Sequence, residues 1–323
     1  MTSINTNIAA MAALQTLQAT NRSMDATQNR ISTGYRVAEA KDNAAYWSIA
    51  TTMRSDNKAL SAVEDSLGLG AAKVDIAYTA LESAIDVVDE IKAKLVAASE
   101  PGVDKAKIQS EISELKKQLQ SIASSASFSG ENWLQNDAAA AAGSKDIVAS
   151  FNRDSTGSVS IGTITVDVSA MTLIGTDNET TGVLTKTYDS DALLATPTGT
   201  PVNYRLIDVP GETTAAAGTV IELDSATTPA EVNAMVRVVD KILTDMTNVA
   251  ANLGAAKSRI ELQQNFVSSL TDSISSGIGA LVDADMTEES TRLKALQTQQ
   301  QLGVQALSIA NSSSQAILQL FQN

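Results

Sequence analysis

The sequence predicts a mainly α protein: coiled-coil helices paired from its two ends, an elongated antiparallel helical rod inside them, and a small β-rich insert at the centre. Three observations carry this. Apolar residues hold three-four spacing over more turns than one globular helix needs, the chain is 43% hydrophobic but only 3% aromatic, and the pattern falls to a period of two only in the middle. Cores of Ala, Leu, Ile and Val with few aromatics belong to helix bundles and coiled coils, where small side chains interdigitate along a seam. A length of 323 residues leaves room for two or three domains and an ample core.

Residues 1–33 carry two stripes at helical spacing. Ala10, Leu14, Leu17, Asn21, Met24, Gln28 and Ile31 form one, and Ile4, Ile8, Met11, Gln15 and Gln18 the other. Gly34 is placed to end or kink this helix. Residues 35–57 read as a connector in which Tyr35, Tyr46 and Trp47 pack a joint, with a ligand site as the alternative use of the same aromatics.

From Leu60 the spacing becomes strict, through Val63, Leu67, Gly70, Val74, Ala77, Leu81, Ala84, Val88, Ile91 and Leu95. Glu100-Pro101-Gly102 breaks the helix, because proline cannot continue it and glycine favours a turn. A second rod helix over 104–123 follows, with seam residues Ile108, Ile112, Leu115, Leu119 and Ile122 beside a charged outer face. It ends within Ser124–Gly130.

Between Asn132 and Pro229 the composition turns to Thr, Ser, Gly, Asp and Val, and four of the five prolines lie between 197 and 229. Val159 and Ile161, then Ile164, Val166 and Val168, alternate as a strand does, with Gly162-Thr163 as a bulge or turn. Residues 146–174 therefore read as a hairpin-like unit and 175–224 as a small insert with strands at Tyr204–Val209 and Thr219–Leu223. The run Ala138–Ala142 reads equally as a helical turn or a loop, and the triplet Asn178-Glu179-Thr180 is too common by chance to assign a role.

The longest helix opens at Thr228-Pro229-Ala230-Glu231, a capping box with proline at the first helical position. Its seam runs Val232, Met235, Val239, Ile242, Met246, Val249, Leu253, Ala256, Ile260, Gln263, Val267, Leu270 and Ile274. Neither long seam can be buried alone, so the two long helices and the shorter one close on each other as an antiparallel rod. Residues 294–323 repeat the logic of the N-terminus with two stripes, one through Leu293, Leu296, Gln300, Gly303, Leu307, Ala310, Ser314, Ile317 and Phe321, the other through Leu302, Ala306, Ile309, Ser313, Ala316 and Leu320. One stripe can be buried within the chain; the second needs another partner. An ordinary core helix buried on two sides is the plainer reading, and the rest of the chain weighs against it.

Composition removes several classes of function. With no cysteine and no histidine there is no disulfide framework, thiol nucleophile, imidazole base or usual zinc site. A net charge of -14 argues against nucleic acid, and no apolar run is long enough to span a membrane. The ends differ from the acidic middle: residues 1–36 hold Arg22, Arg30 and Arg36 against Asp25, and residues 291–323 hold Arg292 and Lys294 without an acid. The N-terminus lacks a basic cluster followed by an apolar run, so no cleaved signal peptide is expected. Asp283, Asp285, Glu288 and Glu289 lack the spacing of a calcium loop and suit helix capping. No cofactor and no enzymatic activity are expected.

The two ends resemble bacterial flagellin. The likeness lies in SINTNIAAMAALQTLQATNRSMDATQNRISTGYRVAEAKDNAA at 3–45, NLGAAKSRIELQQNF at 252–266 and LVDADMTEESTRLKALQTQQQLGVQALSIANSSSQAILQLF at 281–321. The resemblance implies a structural subunit that self-assembles into the extracellular helical filament used for swimming. It implies a terminal coiled-coil domain of 1–42 with 280–323, a rod of 43–174 with 225–279, and an outer insert of 175–224. It also implies export as an unfolded chain without signal cleavage, with the flagellar export apparatus, an export chaperone, and filament cap and junction proteins as partners beside other copies, possible co-assembly with related flagellins, and no membrane insertion.

The expected polymerisation interface is Ile4, Ile8, Met11, Leu14, Leu17, Met24 and Ile31 with Leu296, Leu302, Leu307, Ile309, Ile317, Leu320 and Phe321. In this assignment the stripe from Leu296 meets the N-terminal helix and the stripe from Leu302 meets neighbouring subunits. The chain departs from the family at Asp89–Ala97, where many flagellins carry an Arg-rich stretch recognised by innate immune receptors, and at Tyr46-Trp47, where many have a glycine-containing pair. A hook-filament junction protein is the alternative within the same machinery, and a membrane-inserting coiled-coil translocator lacks its apolar hairpin here. A zinc protease in the insert is excluded without histidine.

Overall fold

The computed structural model describes residues 7–137, 142–197, 199–209 and 217–320, the side chains of 179 and 313–320 excepted. The chain divides into two compact units, residues 1–58 with 270–323 and residues 59–269. Residues 138–141 of the alanine run lie outside the described residues.

In the first unit, α1 (Ile8–Thr33) starts at Asn7, whose side chain accepts from the Ala10 N–H at 2.9 Å. It ends at Gly34, which takes φ 76° and donates its N–H to the Arg30 carbonyl, a left-handed cap where an L side chain would be strained. The connector is shorter than 35–57, because α2 (Ala44–Ala98) begins at Ala44. Asn43 caps it, accepting from the N–H groups of Ala45 and Tyr46. Of the aromatics that suggested a packed joint, Tyr46 and Trp47 lie at that helix start and Tyr35 just after α1, where Arg54 stands 4.8 Å from its ring centre; all three stay exposed, at 42%, 37% and 38%. What closes the joint is small and aliphatic: Val37, Ala50, Ile278 and Val282 are buried together, flanked by Met53, Ile274 and Leu281.

In the second unit the predicted seam is the core. Leu60, Val63, Leu67, Val74, Leu81, Val88 and Leu95 of α2 are all buried. The turn at 99–104 contains Gly102 at φ 90°, and α3 (Lys105–Ser125) buries Ile112 and Leu119 while Ile108 and Leu115 are half-buried. Lys94 pairs with Glu111 across α2 and α3 at 2.6 Å.

Three short strands and then a hairpin follow α3 among the described residues. β1 (Ser127–Phe128) and β2 (Glu131–Asn132) form a tight antiparallel turn, and β3 (Gln135–Asn136) pairs in parallel with a later strand. β4 (Ser144–Arg153) and β5 (Val159–Asp167) form the predicted hairpin. Its bulge is not at Gly162-Thr163 but opposite them, where Ala149 stands unpaired between Val148 and Ser150. The freed Ala149 carbonyl accepts from Gln263 at 2.8 Å, which explains a glutamine in an otherwise apolar seam. The hairpin lies close on α2: a Cβ at Gly70 would stand 2.5 Å from the Ile147 Cγ2.

β6 (Ile174–Gly175) is the partner of β3, and β7 (Tyr188–Asp189), β8 (Asn203–Arg205) and β9 (Thr219–Val220) make a small mixed sheet. The predicted strands at Tyr204–Val209 and Thr219–Leu223 are therefore cut short. Leu206, Ile207, Ile221 and Leu223 leave the pairing to bury themselves in a core with Trp133, Leu134, Leu173 and Leu184. The Asn178 side chain of the chance triplet is a cap, accepting from the Thr180 N–H.

α4 (Pro229–Val282) begins on the expected box: Glu231 accepts from the Thr228 N–H at 2.6 Å, and Thr228 Oγ1 accepts from the Glu231 N–H at 3.3 Å. It extends past Ile274 to Val282. Val239, Ile242, Met246, Val249, Leu253 and Ile260 are buried, and the ion pairs Lys92–Asp240 and Lys257–Asp75 fix α4 antiparallel to α2.

The segment before α4 is held by lysines of α3. Lys105 and Lys116 donate to the carbonyls of Thr227 and Ile221, and Gln109 accepts from the Leu223 N–H. Burial pushes the Lys116 ammonium down to about 8, against the opposing pull of Glu222 and Asp208. Between that value and the ordinary 10.5 the folded chain binds fewer protons than the unfolded one, so stability rises with pH across this window. Urea unfolding at pH 7.5 and 9.5 should show a gain of about 1–2 kcal/mol at the higher pH. The gain should vanish in Lys116→Met; the same rise in that variant would assign it elsewhere.

Candidate assembly interface

α5 (Met286–Leu320) lies antiparallel on α1. Asp285 caps it, accepting from the N–H groups of Thr287 and Glu288. The turn between α4 and α5 is stitched to the connector: Arg36 and Val37 donate to the Val282 carbonyl, and Ala284 donates to that of Gly34. From there the pair is followed outward by Arg30–Glu289 at 3.0 Å, Asn21–Gln300 at 2.8 Å, Leu17 against Gly303, and Asn7 donating to the Ala310 carbonyl at 2.9 Å.

The polar contacts are graded along the pair. Glu289, 5% exposed, is neutralised by Arg30 and by Arg292 at 3.8 Å, while Glu288 pairs with Arg292 at 2.8 Å. These carboxylates and Asp285 are thus used in caps and ion pairs. Beyond Lys294 the chain has no charge, and the remaining polar ties are amides. A glycine opposite Leu17 lets the helices approach closely: a Cβ at Gly303 would come to 3.3 Å from the Leu17 Cδ1. Among the described residues no group of three or more Asp or Glu is placed to hold a metal ion, and no helix is long and apolar enough to cross a membrane.

The two α5 stripes separate by burial. Leu293, Leu296, Gln300, Gly303, Leu307 and Ala310 are half-buried on the α1 side, whereas Leu302 is 59% and Ile309 69% exposed. On α1, Leu17, Met24 and Ile31 face inward and Ile8 (64%), Met11 (55%) and Leu14 (45%) face out. Leu14 and Gln28 therefore do not belong to the inward stripe. Ala13 and Thr27 take those places, Thr27 being only 2% exposed. Small residues sit nearest α5 because the helices are close, a signal that a search for large apolar side chains passes over. Ile4 and Phe321 lie outside the described residues, as do the side chains of Ile317 and Leu320.

Comparison with known proteins agrees with the ends of the chain and extends between them. Residues 4–139 match the family model for the bacterial flagellin N-terminal helical region, and residues 236–321 match that for the C-terminal helical region. Flagellin C of Rhizobium meliloti (strain 1021) is 63% identical over 322 residues, covering 100% of both chains. Flagellin A of the same strain is 49% identical and a flagellin of Brucella melitensis biotype 1 is 46% identical, again with 100% of each chain covered. Helices paired from the two ends, an α-helical core and full-length likeness to these proteins place the chain in the bacterial flagellin family, the subunits of the flagellar filament.

Proposed function

We propose that the exposed stripes of the terminal helix pair are the surfaces through which this filament subunit polymerises. The protein is a structural subunit that self-assembles into the extracellular flagellar filament for bacterial motility. The observation that supports the finer reading is a helix pair with its inner stripes already satisfied and its outer ones bare, Leu302 and Ile309 on α5 and Ile8, Met11 and Leu14 on α1. Repetition of that modest apolar burial in a lattice, at about 25 cal/mol per Å², supplies the driving force. The absence of charge beyond Lys294 fits the same site, since an unpaired charge buried between helices costs several kcal/mol, on the order of its desolvation.

In this reading 1–42 with 280–323 forms the filament interior, 43–174 with 225–279 the wall, and 175–224 the outermost part. The subunit works without cofactor or catalysis. It leaves the cell unfolded through the flagellar export apparatus, its N-terminal signal uncleaved, escorted by a chaperone, and it folds under the filament cap on a base set by junction proteins. Mixing purified chain with short filament seeds tests the central claim by electron microscopy. Seeds should lengthen in proportion to added protein; a chain that binds seed ends without lengthening them would be a junction protein instead.

A further inference from the structure

A cleft of about 340 Å³ lies in the second unit, where α4 passes the single helical turn Glu179–Thr181 and the chain on either side of it. Its floor is apolar, made by Val183 and Val249, each 5% exposed. On one wall Asp245, Asn248 and Asn252 stand three and four residues apart on α4 and so share a face. The other wall carries the hydroxyls of Ser169, Thr180 and Thr181. Backbone bonds hold that wall from behind: Val183 and Leu184 donate their N–H groups to the carbonyls of Thr172 and Leu173, both at 2.9 Å. A fixed cleft with an apolar floor and a few convergent polar groups is the usual form of a small-molecule site, and this one is at the small end of the range of about 300–1,000 Å³.

The polar groups differ in what they still offer. The Thr180 hydroxyl donates to the Asn178 side chain, that of Thr181 to the Asn178 carbonyl and that of Ser169 to Asp167, so this wall presents oxygen lone pairs and no spare hydrogen. Asn248 and Asn252 are exposed and have no side-chain hydrogen-bond partner among the described residues, so each amide can both donate and accept. At the end beside Asp245, Lys186 and Lys241 share that one carboxylate, at 3.4 and 2.5 Å, which leaves a positive charge in excess. An anionic group is therefore met at Lys186, whereas against the hydroxyl wall it would find only lone pairs. The rest of the cleft suits hydroxyls, which donate to that wall and pair with the α4 amides. We propose that the cleft binds a hydroxylated carboxylate of monosaccharide size, its carboxylate on Lys186 and its hydroxyls between Asn248, Asn252 and the two threonines.

Calorimetric titration of the unassembled full chain with glucuronate, glucose, acetate and inorganic phosphate tests each part of the assignment. Glucuronate should bind about tenfold or more tightly than glucose or acetate, the worth of one charge-assisted hydrogen bond. Phosphate should bind no better than acetate, since a bare anion gains nothing from the amides or the hydroxyl wall. Lys186→Met should bring glucuronate down to the affinity of glucose. The double variant Asn248→Ala, Asn252→Ala changes only exposed side chains, so its melting temperature should match that of the unmodified chain. It should weaken glucuronate about tenfold and leave acetate unchanged, which keeps the proposal open to refutation even where loss of Lys186 disturbs the fold. Glucuronate binding no more tightly than its fragments, phosphate binding as well as glucuronate, or full glucuronate affinity in the double variant would each overturn it.

Discussion

Removal of residues 296–323 is expected to abolish filament formation and leave the helical core of residues 59–269 folded. The cut takes away Leu296, Gln300, Gly303 and Leu307, which face α1, together with Leu302 and Ile309, which face outward. α1 then has no partner for Leu17 and Met24, only its last turn still meeting the stub of α5 at Glu289. A lone helix of its 26 residues, interrupted by polar side chains and stripped of its packing, is marginal in water. Both terminal helices are therefore lost to assembly by a single cut. The core of the second unit buries its seam without any of the removed residues. Circular dichroism should show a smaller helical signal but an unchanged cooperative melt for the remainder. Electron microscopy should show no filaments at concentrations where the intact chain elongates seeds, and filaments from the shortened chain would defeat the assignment.

Leu81→Ala should act in the opposite way, weakening the subunit without touching its contacts. Leu81 is fully buried at the middle of the α2 seam, so its truncation removes apolar transfer energy and leaves a cavity between helices that are held at both ends. The expected loss is about 3 kcal/mol, within the usual 2–5 for this change. In a unit of this size that lowers the melting temperature by roughly 6–12 °C. Leu262→Ala is the control: at 68% exposure it should change monomer stability by less than about 0.5 kcal/mol. Urea denaturation of the two variants side by side checks the contrast, and equal losses would mean that Leu262 is buried in the free chain.

The seam was legible because burial there is unbroken: every position read from Leu60 to Leu95 is buried, and each carries an apolar side chain except Gly70, which Ile147 of the hairpin crowds. Three places were not. The start of α2 was hidden by Tyr46 and Trp47, whose bulk suggested a packed joint although Asn43 had already supplied a helix cap. The hairpin bulge was assigned to the wrong strand, because the change of phase in Val159–Val168 is visible in one strand while the extra residue lies in its partner. On α1, Leu14 outweighed Ala13 and Gln28 outweighed Thr27, yet at a close helix contact the small residue faces inward. The division of α5 into inner and outer stripes was readable as two stripes, but which of them met α1 depended on contacts such as Asn21–Gln300 that spacing alone does not reveal.

The order in which contacts become possible follows from the same pairings. Asn7 bonds to Ala310, 303 residues away, and Lys92 bonds to Asp240, 148 away. No long seam can find its partner until the last third of the chain has appeared, and loop closure over such distances is slow. A chain emerging N-terminus first therefore carries the side of α2 that meets α4 uncovered for the whole time that the middle is being made. That interval is a kinetic opening in which another protein can hold the chain unfolded, and it ends only when α4 arrives.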